Sequence, residues 1–368
     1  MTSSERNRRL IDIITLLTVP GVGRGRYWKL LKQFGSVEKV LRAPVHQVEA
    51  ISGLGRAVAS AIAHEADRDA AAKVAAQIEE YGWTVLFAGA DGYPPMLEEI
   101  PDKPPVLFAR GELPSADDKM IAIVGTRHAS DQGKMFTARL ASDLVSAGVT
   151  VVSGMAEGID TAAHAGALEA GGRTIAVWGT SLEITYPPSN KHLAERITER
   201  GTIFSEYFPG QGPDRSTFPD RNRIISGLSD GVVVVEAGKK SGALITAELA
   251  LQQGRELFAV PGPPTADRSI GANSLLKKGA RLVTSVEDIF EELPRLRGEV
   301  AARRFKAVPN VTDTEQQVID HLADGPCQVD MLAQKLGLTV SEVLEYLLAL
   351  ELKGIVQELS GKRYVLCE

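Results

Sequence analysis

The chain has 368 residues, of which 44% are hydrophobic and 24% charged, so it is long enough for two or three globular domains. Its two cysteines, Cys327 and Cys367, and its six scattered histidines exclude a disulfide framework and a structural metal site. The N-terminus lacks the apolar core of a signal peptide, and no stretch approaches the roughly 18 consecutive apolar residues of a membrane helix. We therefore expect a cytoplasmic protein that does not contact a membrane.

The net charge of −6 is distributed unevenly along the chain. Residues 1–75 hold 12 basic and 7 acidic side chains, whereas residues 312–368 hold 4 basic and 10 acidic ones. The middle of the chain therefore carries −5, and an anion-binding site there must be a local cluster of cations. Bulk charge alone does not decide the function.

Residues 1–80 are predicted to form a helical domain with two similar glycine hairpins. The hairpins are residues 19–23 and 51–55, and an amphipathic helix follows each. They resemble the helix-hairpin-helix, or SAM-like, repeat, in which backbone amides hold a nucleic-acid phosphate without reading its sequence. Packing of helices explains the hairpins equally well, so both interpretations stay open. The basic residues that suit a phosphate contact are Arg24, Arg26, Lys29 and Lys32.

Residues 81–293 are predicted to form an α/β domain with a parallel sheet that is covered on both faces. Short apolar runs rich in β-branched residues alternate here with amphipathic segments. The runs are residues 121–124, 149–152, 174–177, 201–204, 232–235 and 257–260. Small or polar clusters follow most of these runs, at the carboxyl edge where open α/β sheets bind ligands. We therefore expect one binding crevice at this edge.

The most informative segment is residues 153–164. It follows one of the apolar runs and opens a helical pattern, so small residues stand where a strand ends and a helix begins. Free backbone amides and the positive end of the helix dipole make such a junction a natural phosphate site. A tight turn without a ligand would explain this segment alone equally well.

A basic segment, residues 218–228, refines the expected crevice. On a helix, Arg221 falls in line with the sheet-facing apolar stripe, so we expect a buried arginine that needs a partner. That partner is either an anion in the crevice or a carboxylate, Glu206 or Glu236. Arg223 falls on the opposite face and suits a carboxylate or a second subunit.

In combination and in order, these motifs resemble those of the DNA-processing protein A (DprA/Smf) family. The likeness spans about residues 85–290 and departs from the family at residues 179–183, where many members have a second glycine and an aspartate. It implies an extended Rossmann-like fold that binds single-stranded DNA, protects incoming DNA and loads the recombinase RecA during natural transformation. It also implies a homodimer formed through the later part of the central domain. The matching segments are residues 125–127, 153–164, 186–191, 205–207, 218–228, 241–247 and 261–262.

The resemblance also implies which residues bind the DNA. They are Gly125, Thr126, Arg127, Ser153, Gly154, Lys191, Arg221, Asn222, Arg223, Ser241 and Gly242. A single strand presents repeated phosphates, which fit several amide clusters with cations between them better than one compact nucleotide site does. Aromatic residues are only 5% of the chain, so we expect weak base preference and strong salt dependence. The crevice loops offer chiefly four rings, those of Tyr186, His192, Tyr207 and Phe218.

An enzyme is the rival class, with a nucleotide-processing hydrolase of the lysine-decarboxylase-like Rossmann class as the alternative. Residues 238–246 faintly resemble that class, but the Pro-Gly-Gly-x-Gly-Thr loop of those enzymes is absent. Asp160 and His164 lie one helical turn apart, which indicates a cap and packing contact more than an acid/base pair. No serine or cysteine stands in a nucleophile elbow. We expect a protein that is not an enzyme and has no catalytic residues, cofactor or metal.

A basic, helix-breaking linker at residues 294–310 is predicted to precede a C-terminal domain at residues 311–368. Three amphipathic helices and a hairpin around residues 360–361 predict a winged helix. Such modules usually bind duplex DNA, but acidic side chains on the recognition helix would repel phosphates. We therefore expect a protein-contact or self-regulatory module more than a DNA reader. The acidic side chains are Glu342, Glu345 and Glu351.

Overall fold

The computed structural model describes residues 2–297, 312–322, 327–352, 355–359 and 362–366. The chain divides into two compact units, residues 1–299 and 300–368. Three features predicted above lie outside the described residues: most of the linker (residues 298–310), the hairpin turn at residues 360–361, and Cys367.

Six helices precede the sheet in the described part of the first unit. They are α1 (Ser3–Leu17), α2 (Arg24–Phe34), α3 (Val37–Leu41), α4 (Val45–Glu49), α5 (Arg56–His64) and α6 (Arg68–Glu80). Both predicted glycine hairpins are present. Gly21 and Gly53 adopt φ angles of +80° and +85°, which side chains rarely tolerate, so glycine is required at both turns.

Basic side chains beside the first hairpin are bound to the hairpins themselves. Arg26 donates hydrogen bonds to the carbonyls of Gly21 at 2.5 Å and Gly53 at 3.2 Å. Lys29 donates to the carbonyl of Ser52 at 3.5 Å. Because these bonds fasten the two hairpins to each other, they favour the packing role over a phosphate contact.

A nine-stranded sheet forms the centre of the first unit in its described residues. The strands are β1 (Thr84–Phe87), β2 (Val106–Gly111), β3 (Met120–Val124), β4 (Thr150–Ser153), β5 (Thr174–Val177), β6 (Thr202–Ser205), β7 (Gly231–Val234), β8 (Glu256–Ala259) and β9 (Arg281–Leu282). Their order is β1-β2-β6-β5-β4-β3-β7-β8-β9. Strands β3 to β9 pair in parallel, and β1 and β2 add an antiparallel edge to β6. The predicted Rossmann-like fold is confirmed, and the six predicted strands are correct to within one residue.

Helices alternate with the strands along the chain. They are α7 (Pro95–Glu98), α8 (Asp131–Ser146), α9 (Ile159–Glu169), α10 (Lys191–Arg200), α11 (Thr217–Leu228), α12 (Ala243–Gln252), α13 (Ile270–Lys277) and α14 (Val286–Glu292). Successive strand residues are buried in different hydrophobic clusters, as Ile203 and Phe204 of β6 show. Since side chains alternate between the faces of a strand, both faces of the sheet are covered.

The helical domain and the sheet share one hydrophobic cluster. Ile14 and Leu30 of the helices are buried in the same cluster as Phe108 of β2 and Ile203 of β6. The helical domain therefore packs against one face of the sheet on the side of β2 and β6. This shared core fixes α2 beside the strands that lead into the site.

The second unit is a winged helix, as predicted. Its described elements are α15 (Asp313–Leu322), α16 (Val329–Leu336), α17 (Val340–Leu352), β10 (Cys327–Gln328), β11 (Val356–Leu359) and β12 (Arg363–Leu366). The strands form an antiparallel sheet in the order β10-β12-β11. Glu342 accepts hydrogen bonds from the hydroxyl and amide of Thr339, at 2.7 and 2.8 Å, and these bonds lower its pKa. None of the helices that the structure describes combines the length and apolarity needed to cross a bilayer.

Candidate functional site: a crevice at the carboxyl edge of the sheet

A crevice of about 670 Å³ opens at the carboxyl edge of the parallel sheet. Its walls come from the loops that follow β3 and β7 and from the first turns of α11 and α12. Of the eleven residues predicted to bind DNA, seven line it: Gly125, Thr126, Arg127, Arg221, Asn222, Ser241 and Gly242. Gly154 lines an adjoining cavity of about 80 Å³ that shares Arg127 and Arg221 with the crevice.

The other three predicted residues lie outside the crevice lining. Ser153 is fully buried, and its hydroxyl donates to the Ile123 carbonyl at 2.7 Å. Arg223 is 2% exposed and forms the expected carboxylate pair, with Glu206 at 2.5 Å. Burial therefore leaves neither side chain accessible to a DNA strand. Lys191 is exposed at the start of α10 but does not border the crevice.

Arg221 forms part of the crevice floor and is 5% exposed. Its guanidinium donates to the carbonyls of Gly154, at 2.6 Å, and Val177, and to Asn222 Oδ1 at 3.1 Å. Burial lowers the pKa of Arg221 to about 10, while the charge of Asp160 opposes this shift. The guanidinium therefore stays protonated at neutral pH and is held mainly by groups of the protein.

Asp160 is the buried acid beside Arg221. Its Oδ2 accepts hydrogen bonds from the amides of Gly154 at 3.1 Å and Ala156 at 3.2 Å. Burial raises the pKa of Asp160, and the charge of Arg221 opposes the rise. The carboxylate therefore holds the turn after β4 through these amides, and its charge acts on the arginine of α11.

Neither carboxylate expected as an alternative partner of Arg221 takes that role. Glu206 pairs with Arg223, and Glu236 accepts from the amide and hydroxyl of Ser130, at 2.9 and 2.6 Å. The expectation is corrected, since the acid beside Arg221 is Asp160. This acid lies in the glycine-rich segment that the sequence indicated as a phosphate site.

Glycines of that segment are required by the protein's own packing. A Cβ at Gly154 would lie 2.7 Å from Arg221 Nη2 and 2.8 Å from Asp160 Oδ2. Gly158 has a φ of +83°, and a Cβ there would lie 2.4 Å from the Thr126 carbonyl oxygen. The first glycine therefore makes room for the Arg221 guanidinium.

The candidate acid/base pair, Asp160 and His164, is bound within the fold. The Thr174 hydroxyl donates to the Val151 carbonyl at 2.8 Å, so it accepts the hydrogen bond from His164 Nδ1 at 2.7 Å. Burial, with a contribution from the charge of Arg221, lowers the pKa of His164 to about 3. A buried, neutral imidazole does not exchange protons with a ligand in the crevice, so this geometry does not form an acid/base site.

Three exposed cations border the crevice: Arg127, Arg215 and Lys240. Among the residues that the structure describes, none of the three takes part in a salt bridge. Sequence reasoning missed two of them. Lys240 could have been found, because it directly precedes Ser241 in the loop after β7. Arg215 lies in the irregular loop before α11, where no periodicity predicts its direction.

Two of the four expected rings border the crevice. Tyr186 and Phe218 lie with their ring centres 5.3 Å apart and their planes at 35°. The Arg127 guanidinium lies over the Phe218 ring, 5.5 Å from its centre. Tyr207 instead donates its hydroxyl to the Thr217 carbonyl at 3.0 Å and holds the start of α11. The crevice therefore combines cations outside salt bridges with one exposed aromatic ring, that of Tyr186, which is 38% exposed.

Family models match three parts of the chain. Residues 84–294 match the model described as DNA recombination-mediator protein A. The chain belongs to this family. Residues 304–362 match the DprA winged helix domain, and residues 13–68 match a SAM-like helix-hairpin-helix tandem. The predicted DprA/Smf membership is confirmed, and the matches agree with the observed sheet domain, winged helix and N-terminal hairpins.

Relatives extend the likeness over most of the chain. Protein Smf from Synechocystis sp. is 31% identical over 94% of this chain and 96% of that protein. DNA processing protein DprA from Streptococcus pneumoniae is 46% identical over 55% of this chain and 71% of that protein. The solved structure of the Streptococcus pneumoniae protein has a TM-score of 0.68 at 37% identity, covering 77% of this chain and 97% of that one.

A second solved structure concerns the single-stranded DNA binding mode of DNA processing protein A from Helicobacter pylori. It has a TM-score of 0.52 at 30% identity, and covers 58% of this chain and 96% of that one.

Proposed function

We propose that this chain binds single-stranded DNA in the crevice at the carboxyl edge of its sheet. The observation that carries the proposal is the set of unpaired cations, Arg127, Arg215 and Lys240, around the rings of Tyr186 and Phe218. Cations hold the phosphates of a strand, and exposed rings stack on its bases. Both kinds of group border one groove. The solved relative from Helicobacter pylori, with its single-stranded DNA binding mode, supports the proposal.

The dipole of helix α12 adds a positive electrostatic potential at the crevice. It begins at Ala243, which borders the crevice, so the positive end of its dipole points toward the bound phosphates. Ser241 and Gly242 immediately before it, together with Thr126 and Asn222, supply the polar lining that we propose contacts the strand. Arg221 and Gly154 shape the floor beneath them.

The family description supports a role in passing DNA to a recombinase. We propose that the chain protects incoming single-stranded DNA and loads RecA during natural transformation, acting in the cytoplasm as a homodimer and without catalysing a reaction. We also propose that residues 1–80, 81–293 and 311–368 are three domains, of which the first two pack on one shared core, with residues 294–310 as the linker to the third. The ranges of the three matching family models support this division.

Binding of matched oligonucleotides tests the proposed function. With labelled strands of about 20 nucleotides, we expect tighter binding of the single strand than of the duplex. Its log affinity should fall with log salt concentration at a slope of about −2, because each of three neutralised phosphates contributes about −0.7. Anisotropy isotherms at several salt concentrations measure both quantities. Equal affinity for single strand and duplex, or turnover of a nucleotide by the same preparation, would contradict the proposal.

A further inference from the structure

The helical domain contacts the helix that carries crevice side chains. Arg24, the first residue of α2, forms ion pairs with Asp220 on α11 and with Glu206 after β6, both at 3.3 Å. Asp220 directly precedes Arg221 along the chain, and Phe218 lies two residues before Asp220. One cation of the helical domain therefore bridges the sheet edge and the first turn of the crevice helix.

The bridge continues into the protein interior through Arg223. One carboxylate oxygen of Glu206 faces Arg24, and the other accepts from Arg223 Nη2 at 2.5 Å. Arg223 also pairs with Asp102 at 3.3 Å. The side chain of Glu206 is 8% exposed, so water screens these interactions little. Arg24 thus completes an ion network, buried at Glu206 and Arg223 and partly exposed at Asp220 and Asp102, that contacts both the first and the second turn of α11.

Arg24 is itself held firmly. Burial alone would lower its pKa, but the charges of Glu206 and Asp220 raise it above the usual arginine value. Trp28, one turn further along α2, donates its Nε1 hydrogen to the Lys103 carbonyl at 2.8 Å. Two contacts one helical turn apart therefore anchor α2 to the sheet domain.

The start of α11 depends on such outside contacts. Its N-cap, Ser216, makes no side-chain hydrogen bond to the helix, and the irregular loop of residues 206–216 precedes it. An uncapped helix end without neighbours frays readily. The turn at Asp214, whose carbonyl accepts from the Thr217 hydroxyl, holds this end locally. The Arg24–Asp220 ion pair and the Tyr207 hydroxyl bond to the Thr217 carbonyl add contacts from outside.

We propose that Arg24 is a positioning residue for single-stranded DNA binding, which holds α11 directly through Asp220 and indirectly through Glu206 and Arg223, and does not touch the strand. The inference rests on the proposed function of the crevice. According to this proposal, the helical domain supports DNA binding through Arg24, and its hairpins do not contact a phosphate. The side chains it positions are Phe218 and Asn222, which border the crevice.

Arg24→Ala tests the inference, with Arg42→Ala as its matched control. Arg42 also belongs to the helical domain, but its side chain is 77% exposed and pairs with Glu38 of the same domain. We expect Arg24→Ala to weaken binding of a (dT) oligonucleotide about 3- to 10-fold while the salt slope stays at the wild-type value. Arg42→Ala should change neither quantity, and Arg24→Lys should recover part of the affinity because it keeps the charge.

Each contrary outcome has a distinct meaning. A smaller salt slope in Arg24→Ala would show that Arg24 contacts the strand directly, and unchanged affinity would show that it does not position the site; either result overturns the inference. If Arg24→Ala fails to fold, Asp220→Asn makes the same test at a side chain that is 53% exposed. Loss of that negative charge alone would strengthen DNA binding, so weaker binding supports positioning and unchanged or stronger binding refutes it. Failure of the wild-type protein to bind the strand would instead contradict the proposed function.

Discussion

Replacing Arg221 with alanine is expected to destabilise the protein by about 3 kcal/mol at neutral pH. The substitution removes the cation beside the buried Asp160 and leaves the carbonyls of Gly154 and Val177 without a donor. Removing one partner of a buried charge pair is costly, because the other charge stays in a medium of low polarity. Urea unfolding at neutral pH measures the difference in the free energy of unfolding.

The destabilisation is expected to depend on pH. Burial already raises the pKa of Asp160, and the rise becomes larger when Arg221 no longer opposes it. A folded-state pKa above the unfolded value means that stability is fully present at acid pH and is lost as pH rises through the folded value. The difference in the free energy of unfolding between Arg221→Ala and the wild type should therefore become smaller as the pH falls from about 7 to about 5.

Two further measurements check this prediction. Adding Asp160→Asn to Arg221→Ala removes the unpaired charge, so it should recover part of the lost stability and remove the added pH dependence. Since Arg221 is bound to protein carbonyls, the folded fraction of Arg221→Ala should keep the wild-type salt slope for DNA. If Arg221→Ala alone is as stable as the wild type, the structural role of Arg221 is contradicted.

Replacing Arg127, Arg215 and Lys240 together with alanine should weaken single-strand binding by about 100-fold near physiological salt. The salt slope should become less steep by about 2, because three phosphate contacts of about 0.7 each are lost. All three side chains are exposed, so stability should stay within about 0.5 kcal/mol of the wild type. Anisotropy isotherms at several salt concentrations, with thermal melts, measure these effects.

A second triple variant separates the crevice from overall charge. Arg8, Arg42 and Arg139 are exposed arginines outside the crevice lining, and their replacement with alanine removes the same formal charge. We expect it to leave the salt slope unchanged. If both triple variants lose the same amount of affinity for the single strand, affinity depends on net charge, and the crevice is not the binding site.

The parallel strands β3 to β8 could be predicted from sequence because each is largely buried and therefore reads as a continuous apolar run. The two-residue parallel strand β9 is exposed and was not predicted. The antiparallel edge formed by β1 and β2 was not predicted. β2 pairs with β6, about a hundred residues further along the chain, and apolar patterning carries no information about such a partner. The loops after the strands were placed correctly at one edge because parallel strands end on the same side.

The side chains of the site were predicted less completely than the strands. Helical periodicity correctly predicted that Arg221 is buried on α11. Arg223, which it placed on the opposite face, is buried as well, because Glu206 and Asp102 pair with it. The acid beside Arg221, Asp160, comes from a different strand-to-helix turn, so helix periodicity could not identify it. Arg215 was missed because it lies in an irregular loop, where direction depends on tertiary contacts rather than on spacing.

Hydrogen exchange of the full chain, with and without a saturating single strand, tests the location of the site most directly. We expect the strand to slow amide exchange in the crevice loops, residues 125–128 and 238–246, and to leave exchange in the hairpins at residues 19–23 and 51–55 unchanged. Protection confined to those hairpins or to the C-terminal unit, with no change at the crevice loops, would contradict the proposal that this crevice binds the strand.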